Sequence, residues 1–330
     1  MSGVRRPWRP PTLADVAARA GVSKATASRA LTRGDGSGAA RPSSTDQVLE
    51  AAMALGYSRS RGTQPRLLAL ATDLSRTGYW ATLSGVLAAG QDLGAEMSVH
   101  VMTGAADSWL DDLLGERDLR ADGVVVLEFD SPSAALLSHL PIDLPVAVAG
   151  GYPQQGAGGL PRAWTDDRTG AMEATRHLIG LGHRRIAYVG VPAAGHPDPR
   201  LLGWQQVMRE EGLTPLEPVA IGWSVATGMR AAAALRSWSA TAVLCGNDDL
   251  ALGLMAGLEH QGLRVPEDVS VVGMDDHPHA AAAQPALTTV RLDFAEVGRM
   301  AARLALGVEE GPDIEVPTAL VERGSTAPAP

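Results

Sequence analysis

Residues 12–31 read Thr-Leu-Ala-Asp-Val-Ala-Ala-Arg-Ala-Gly-Val-Ser-Lys-Ala-Thr-Ala-Ser-Arg-Ala-Leu. The pattern predicts two short helices joined by a tight turn. Thr12 is placed to cap the first helix, and Asp15, three residues on, sits in its first turn. Leu13, Val16, Ala17 and Ala20 recur at helical spacing and form one apolar face. Gly21 ends that helix where a positive φ costs little. Val22 plugs the turn, and Ser23 is the next N-cap. From Lys24 to about Leu31, the second helix turns Ala27, Ala30 and Leu31 inward. Lys24, Ala25, Thr26, Ser28 and Arg29 are left outward. Small outward residues let a helix lie close to a groove, and a cation at each end reaches phosphates or base edges. The segment therefore points to sequence-specific binding of double-stranded DNA.

The chain has 330 residues and a net charge of −9, which read alone argues against nucleic acid. Residues 1–62, however, hold ten Lys or Arg against four acids, so the head carries +6 and the remainder −15. A basic head on an acidic body fits a phosphate-binding module attached to something that is not one. Cys245 is the only cysteine, so no intrachain disulfide forms, and a reducing cytoplasm is expected. The first residues include arginines with no apolar run after them, unlike a secretory signal. No apolar run approaches the roughly 20 residues that span a bilayer.

Outward from the opening stretch, residues 1–11 read as a basic arm and 34–42 as a Gly-rich loop. A third helix begins at Ser44, with Val48, Leu49, Ala52 and Leu55 on one face and Gly56 as its stop. The head is thus expected over 12–57, followed by a polar linker at 58–66 and a core at 67–330. In the core, strand-like runs at 67–72, 97–102, 123–127, 145–149, 185–189, 241–244 and 269–273 alternate with helical stretches. The helices are expected near 80–94, 132–139, 167–181, 199–212, 225–237 and 247–262. Continuous apolar strands between helices indicate parallel sheets covered on both faces. The run is long for one domain, and the Gly- and Gln-rich stretch 150–159 near its middle suggests two α/β lobes. Ligands in such lobes bind at the carboxyl ends of the strands, here between the lobes.

This order of features resembles the lactose-repressor/galactose-repressor family of bacterial transcription regulators, over nearly the whole chain. Besides the head, the segments 177–190 (His-Leu-Ile-Gly-Leu-Gly-His-Arg-Arg-Ile-Ala-Tyr-Val-Gly), 245–253, 262–276, 285–290 and 321–326 are similar to family segments and stand in family order. The resemblance implies a helix-turn-helix head, a hinge and a two-lobed core like that of periplasmic binding proteins. It also implies a homodimer on a palindromic operator, a repressor role more than an activator one, and a small-molecule effector. Under it, Lys24, Ala25 and Arg29 occupy base-reading positions. Ser23, Thr26 and Ser28 serve caps and phosphates, capping alone being enough to explain Ser23. For the effector, a sugar or related polar metabolite, the resemblance points to Tyr79, Trp80, Arg200, Trp223, Asn247, Asp275 and Phe294. Arginine and carboxamide or carboxylate groups would serve hydroxyls, and aromatic faces would meet sugar C–H groups. Each aromatic reads equally well as core.

Two departures from the family stand out. The family's hinge helix, whose leucine wedges into the minor groove, has no counterpart in the short stretch after Gly56. Tyr57, Arg59 and Arg61 are the DNA contacts expected there instead, on phosphates or a narrow minor groove. Strand four ends Ala149-Gly150-Gly151, where many sugar-responsive members carry an aspartate, so one polar contact is expected to be missing.

Two other classes compete. A solute-binding protein would share the core but not the basic head. An enzyme would need catalytic residues, and no phosphate loop, nucleophile elbow or zinc-protease motif is present. The Asp166-Asp167 pair precedes a helix and suits capping. His277 and His279, two apart on a loop, lack further distinctive metal ligands. No catalytic residue, metal or cofactor is assigned.

Overall fold

The structure, a computed structural model, describes residues 12–33, 44–55, 64–102, 121–137, 140, 145–153, 159–193 and 196–330. The head consists of α1 (Leu13–Arg19), α2 (Lys24–Arg33) and α3 (Ser44–Ala54). Thr12 and Asp15 form a reciprocal capping box: Thr12 N donates to Asp15 Oδ2 at 2.7 Å, and Asp15 N donates to Thr12 Oγ1 at 3.3 Å. Gly21 takes φ +64°, as the turn requires. Ser23 Oγ then accepts from Thr26 N at 3.1 Å and caps α2. Val16, Ala17, Ala27, Ala30, Val48, Ala51 and Ala52 make the head's small core, with Leu13, Ala20, Val22, Leu31 and Leu55 packed around it. The expected face of α3 is corrected by one residue. Ala51 joins the core and Leu49 does not, because the stripe runs 48, 51, 52, 55 and leaves 49 at its margin.

The first lobe runs through β1 (Arg66–Ala71), α4 (Thr77–Asp92), β2 (Glu96–Val101), β3 (Gly123–Glu128), α5 (Ser131–Leu137), β4 (Val146–Gly150) and β5 (Arg162–Thr165). The second contains α6 (Asp167–Gly180), β6 (Ile186–Gly190), α7 (Pro199–Glu210), β7 (Ala220–Ile221) and α8 (Val225–Trp238). It continues with β8 (Ala242–Cys245), α9 (Asp248–His260), β9 (Ser270–Asp275), α10 (Pro278–Ala282) and β10 (Thr288–Leu292). The chain then returns to the first lobe as α11 (Phe294–Ala305) and β11 (Asp313–Val316), and ends in the second with β12 (Thr318–Val321). The sheet orders are β11-β5-β4-β3-β1-β2 and β12-β10-β9-β8-β6-β7. All pairings are parallel except β10 with β12. Apolar residues cover both faces of the inner strands of each sheet, as continuous apolar runs require, whereas the edge strand β2 is largely exposed. On β1, Leu67, Ala69 and Ala71 pack with α4 and α11, while Leu68 and Leu70 enter the opposite cluster.

The stretch 150–159 does not divide the lobes. It joins β4 to β5, which are neighbours in one sheet. The chain instead passes between the lobes three times: between β5 and α6, between β10 and α11, and between β11 and β12. Asp166 and Asp293, at the first two passages, N-cap the helices that follow. α11 is pressed against α4 because Gly85 faces the Ala295 carbonyl and Gly298 faces the Thr82 carbonyl, with no room for a Cβ at either.

Candidate functional site

In the head, Ser23, Lys24 and Ala25 are exposed at the start of α2, and Thr26 and Ser28 are half-buried. Ser23 Oγ and Thr26 Oγ1 lie 2.8 Å apart, so both hydroxyls belong to the cap. The side chain of Arg29, and residues 56–63 of the expected hinge region with Tyr57, Arg59 and Arg61, lie outside the described residues.

The cleft between the lobes is lined from the carboxyl ends of strands in both sheets, where strand ends leave backbone and side-chain polar groups unpaired by the ladder. Two adjoining chambers of about 70 and 50 Å³ share Phe129, Arg200, Trp223 and Phe294. Arg200 stands in the first turn of α7, whose N-cap Asp198 accepts from Arg200 N at 3.0 Å. Its guanidinium binds Asp167 Oδ2 through Nε at 2.9 Å and Nη2 at 2.8 Å, donates through Nη1 to the Gly246 carbonyl, and places Nη2 3.7 Å from Asp275 Oδ1. Burial works against the charge on Arg200, but Asp167, Asp275 and Asp198 outweigh it and hold its pKa above the ordinary value. Burial pushes Asp275 well above the usual carboxyl range, against the pull of Arg200. Asp198 is raised by burial too, while accepting from Tyr188 Oη at 2.6 Å.

On the first-lobe side, Tyr79 is buried, with its hydroxyl 2.6 Å from Thr72 Oγ1. Its ring meets Phe129 edge-on at 5.1 Å, and Phe129 meets Phe294 at 5.6 Å, which builds an aromatic floor. Asn247 Oδ1 caps α9 by accepting from Leu250 N at 2.8 Å, and its Nδ2 donates to the Trp223 carbonyl at 3.2 Å. Of the expected effector residues, the structure thus brings Tyr79, Arg200, Trp223, Asn247, Asp275 and Phe294 to the cleft wall. Trp80 is the exception: it is 58% exposed and lines neither chamber. Successive helical residues point about 100° apart, so burying Tyr79 turns Trp80 to solvent.

Several cleft residues were not anticipated. Asp166 caps α6 as expected, accepting from Thr169 N at 3.0 Å. Asp167 has another role, as the main partner of Arg200. An acid also stands beside Gly150 and Gly151. Glu128, from the neighbouring strand, lines the cleft and is tied to Arg162, which also binds the Gly150 carbonyl. A carboxylate from β3 thus stands beside the two glycines at the end of β4. Tyr152, His196, Arg76 and Asp249 also line the wall. Asp276 faces away, paired with Arg291 at 2.8 Å and Arg323 at 2.6 Å. His277 Nδ1 accepts from His279 N at 3.0 Å and caps α10. No cluster of three or more His, Cys, Asp or Glu suited to a metal occurs among the described residues.

The fold and site define a two-lobed α/β ligand-binding core carrying a helix-turn-helix head. Residues 12–60 match the family of bacterial regulatory proteins, lacI family, and residues 175–326 match a periplasmic binding protein-like domain. The transcriptional regulator MalR of Streptomyces coelicolor is 33% identical over 96% of this chain and 97% of its own length. Among solved structures, the CelR–cellobiose complex is 28% identical with a TM-score of 0.68, covering 96% of this chain and 99% of that one. The Lac repressor dimer bound to operator and an anti-inducer is 26% identical with a TM-score of 0.69, covering 97% and 100%. The chain belongs to the lacI family of bacterial regulatory proteins and is a helix-turn-helix transcription regulator. No helix among the described residues is long and apolar enough to cross a membrane.

Proposed function

We propose that the chain is a cytoplasmic repressor that binds a palindromic operator as a homodimer and responds to a neutral sugar held between its lobes. The working units are the arm 1–11, the head 12–57, the linker 58–66 and the core 67–330. The observation that carries the effector reading is the buried Arg200–Asp167–Asp275 group facing Trp223 and Phe294 in an interlobe cleft. Such a wall offers donors, acceptors and apolar faces together, as a polyol needs. Arg200 is held by the protein's own carboxylates, which suits binding better than proton transfer, and no reaction is assigned to the site. The chambers as they stand hold a few waters each. A sugar ring therefore enters as the lobes part, and its preference for one lobe arrangement is what would shift the heads.

In the head, Lys24, Ala25 and Arg29 read bases, Ser28 meets the backbone, and Ser23 and Thr26 hold the cap. Tyr57, Arg59 and Arg61 extend the phosphate contacts. The test is a gel-shift titration of the full chain on its operator with cellobiose, maltose, lactose or ribose added. A sugar that changes operator affinity supports the reading, as does an Arg29→Ala variant that weakens the operator far more than random duplex. Operator binding indifferent to every neutral sugar, with no rise in Tm, would overturn the effector assignment.

A further inference from the structure

Arg76 is a cation in the cleft whose bonding is incomplete. It is the residue just before α4, in extended backbone, and its side chain makes no capping bond there. Nε pairs with Asp73 at 2.9 Å, and Nη2 lies 3.6 Å from Asp130 Oδ2. Nη1 is buried and has no hydrogen-bond partner among the described residues. The guanidinium carbon sits 4.7 Å from the Trp223 ring centroid, so this first-lobe side chain reaches the second lobe. The same chamber is lined by Asp275, whose Oδ1 is also buried without a hydrogen-bond partner. One chamber thus holds an unmet donor from one lobe and an unmet acceptor from the other.

Buried polar groups left unpaired are costly, and native chains resolve them with water or ligand. A molecule that resolves both must accept from Arg76 and donate to Asp275. An anion does the first but has no hydrogen to donate to Asp275 Oδ1, and Asp249 stands in the same wall. A cation does the second but is repelled by Arg76 and Arg200. Hydroxyls on one saturated ring do both, with Trp223 and Phe294 beside their C–H faces.

We infer that Arg76 is an effector-binding residue, and that an uncharged polyhydroxy ligand joins it to Asp275 and so ties the two lobes together. This rests on the reading of the cleft as the effector site. Arg76 is specific to recognition from the first lobe, whereas Arg200 recognises from the second.

The test is isothermal titration of the full chain with glucose, ribose, maltose and cellobiose, and with glucose 6-phosphate as the anionic comparison. Wild type, Arg76→Met and Arg200→Lys are compared, each with its ligand-free Tm. The expected result is that a neutral sugar binding wild type loses about ten- to hundredfold in affinity in Arg76→Met, the range of one bond to a charged group. Where Arg76→Met melts far below wild type, Arg76→Lys replaces it. That variant keeps a charge for Asp73 and Asp130 but has one nitrogen in place of three, and the same direction of loss is expected. Unchanged affinity in both Arg76 variants, with binding lost in Arg200→Lys, overturns the inference and leaves the cleft reading standing: solvent then satisfies Nη1. Tighter binding of glucose 6-phosphate than of glucose overturns it as well. Absence of any binding to wild type overturns the cleft reading and the inference together.

Discussion

Arg200 and Asp167 join the first turns of two different helices, with Nη2 and Oδ2 2.8 Å apart, just where the chain first enters the second lobe. Thr165 Oγ1 holds the other oxygen of Asp167 at 2.7 Å, so β5 of the first lobe orients the partner of the second lobe's arginine. Removing the arginine strands Asp167 and Asp275 in a wall where their side chains are 17% and 9% exposed. Arg200→Ala is therefore expected to destabilise the chain by about 3 kcal/mol, the lower end for breaking a buried pair, since Asp275 sheds part of the penalty by protonating. Urea denaturation measures it. A loss below about 1 kcal/mol would mean that the group is solvated and contributes little.

Glu128 and Arg162 make the second buried pair of the cleft, at a site shaped by Gly151. Gly151 has φ +65°, and a Cβ there would overlap both the Glu128 carboxylate and the Arg162 guanidinium. Gly151→Ala is expected to cost more than about 2 kcal/mol, from left-handed strain together with displacement of the pair. Gly94→Ala is the control, with φ +65° but nothing near its Cβ, and should show the strain alone. Equal losses in the two variants would separate Gly151 from the ion pair.

The head was legible because its determinants are local. Thr12 with Asp15, Gly21, and Ser23 with Thr26 interact within three residues or through one dihedral angle. The sheets were legible from apolar runs. The path of the chain between lobes was not, because Asp166 and Asp293 look like ordinary caps, and the Gly-rich composition of 150–159 marks a loop without saying which strands it joins. In the cleft, Arg200 was found through family resemblance, but its partner lies 33 residues away. The Arg76–Trp223 and Glu128–Arg162 contacts arise only when the strand ends converge. Trp80 misled because adjacent aromatics on a helix cannot share one face.

Asp248 gives the fold a pH dependence of definite sign. It is fully buried at the start of α9, accepting from Thr289 Oγ1 at 2.6 Å and from His277 N at 2.7 Å. Burial pushes its carboxyl up to about 7, with Asp276 adding to the rise and Arg323 opposing it. The folded chain thus holds this proton where the unfolded chain has released it. The associated stability is complete below the ordinary carboxyl value of 3.8 and is lost as pH rises through about 7. Asp276, whose carboxyl is held low against the effect of burial by Arg323 and Arg291, contributes in the opposite direction and only in acid. Asp248→Asn cannot titrate, so the stability of wild type relative to it should fall between pH 5 and pH 8. Denaturation curves at the two pH values check this, and a margin that grows with pH would show that Asp248 is ionised in the fold.

Ser23 separates folding from DNA contact in the head. Its hydroxyl is engaged at the α2 cap, with Thr26 N at 3.1 Å and Thr26 Oγ1 at 2.8 Å. Ser23→Ala should therefore cost the head about 1 kcal/mol, the usual loss of an N-cap acceptor. Ser23→Asp keeps a cap acceptor and favours the helix dipole, so the head should stay as stable as wild type. The same aspartate puts a negative charge beside Lys24 on the surface assigned to DNA, and duplex affinity should fall at low salt, with the difference shrinking as salt rises. Melting of the full chain followed by helical signal, paired with duplex titrations at two salt concentrations, reads both effects. Ser23→Asp binding duplex as tightly as wild type at low salt would place the DNA surface elsewhere than the start of α2.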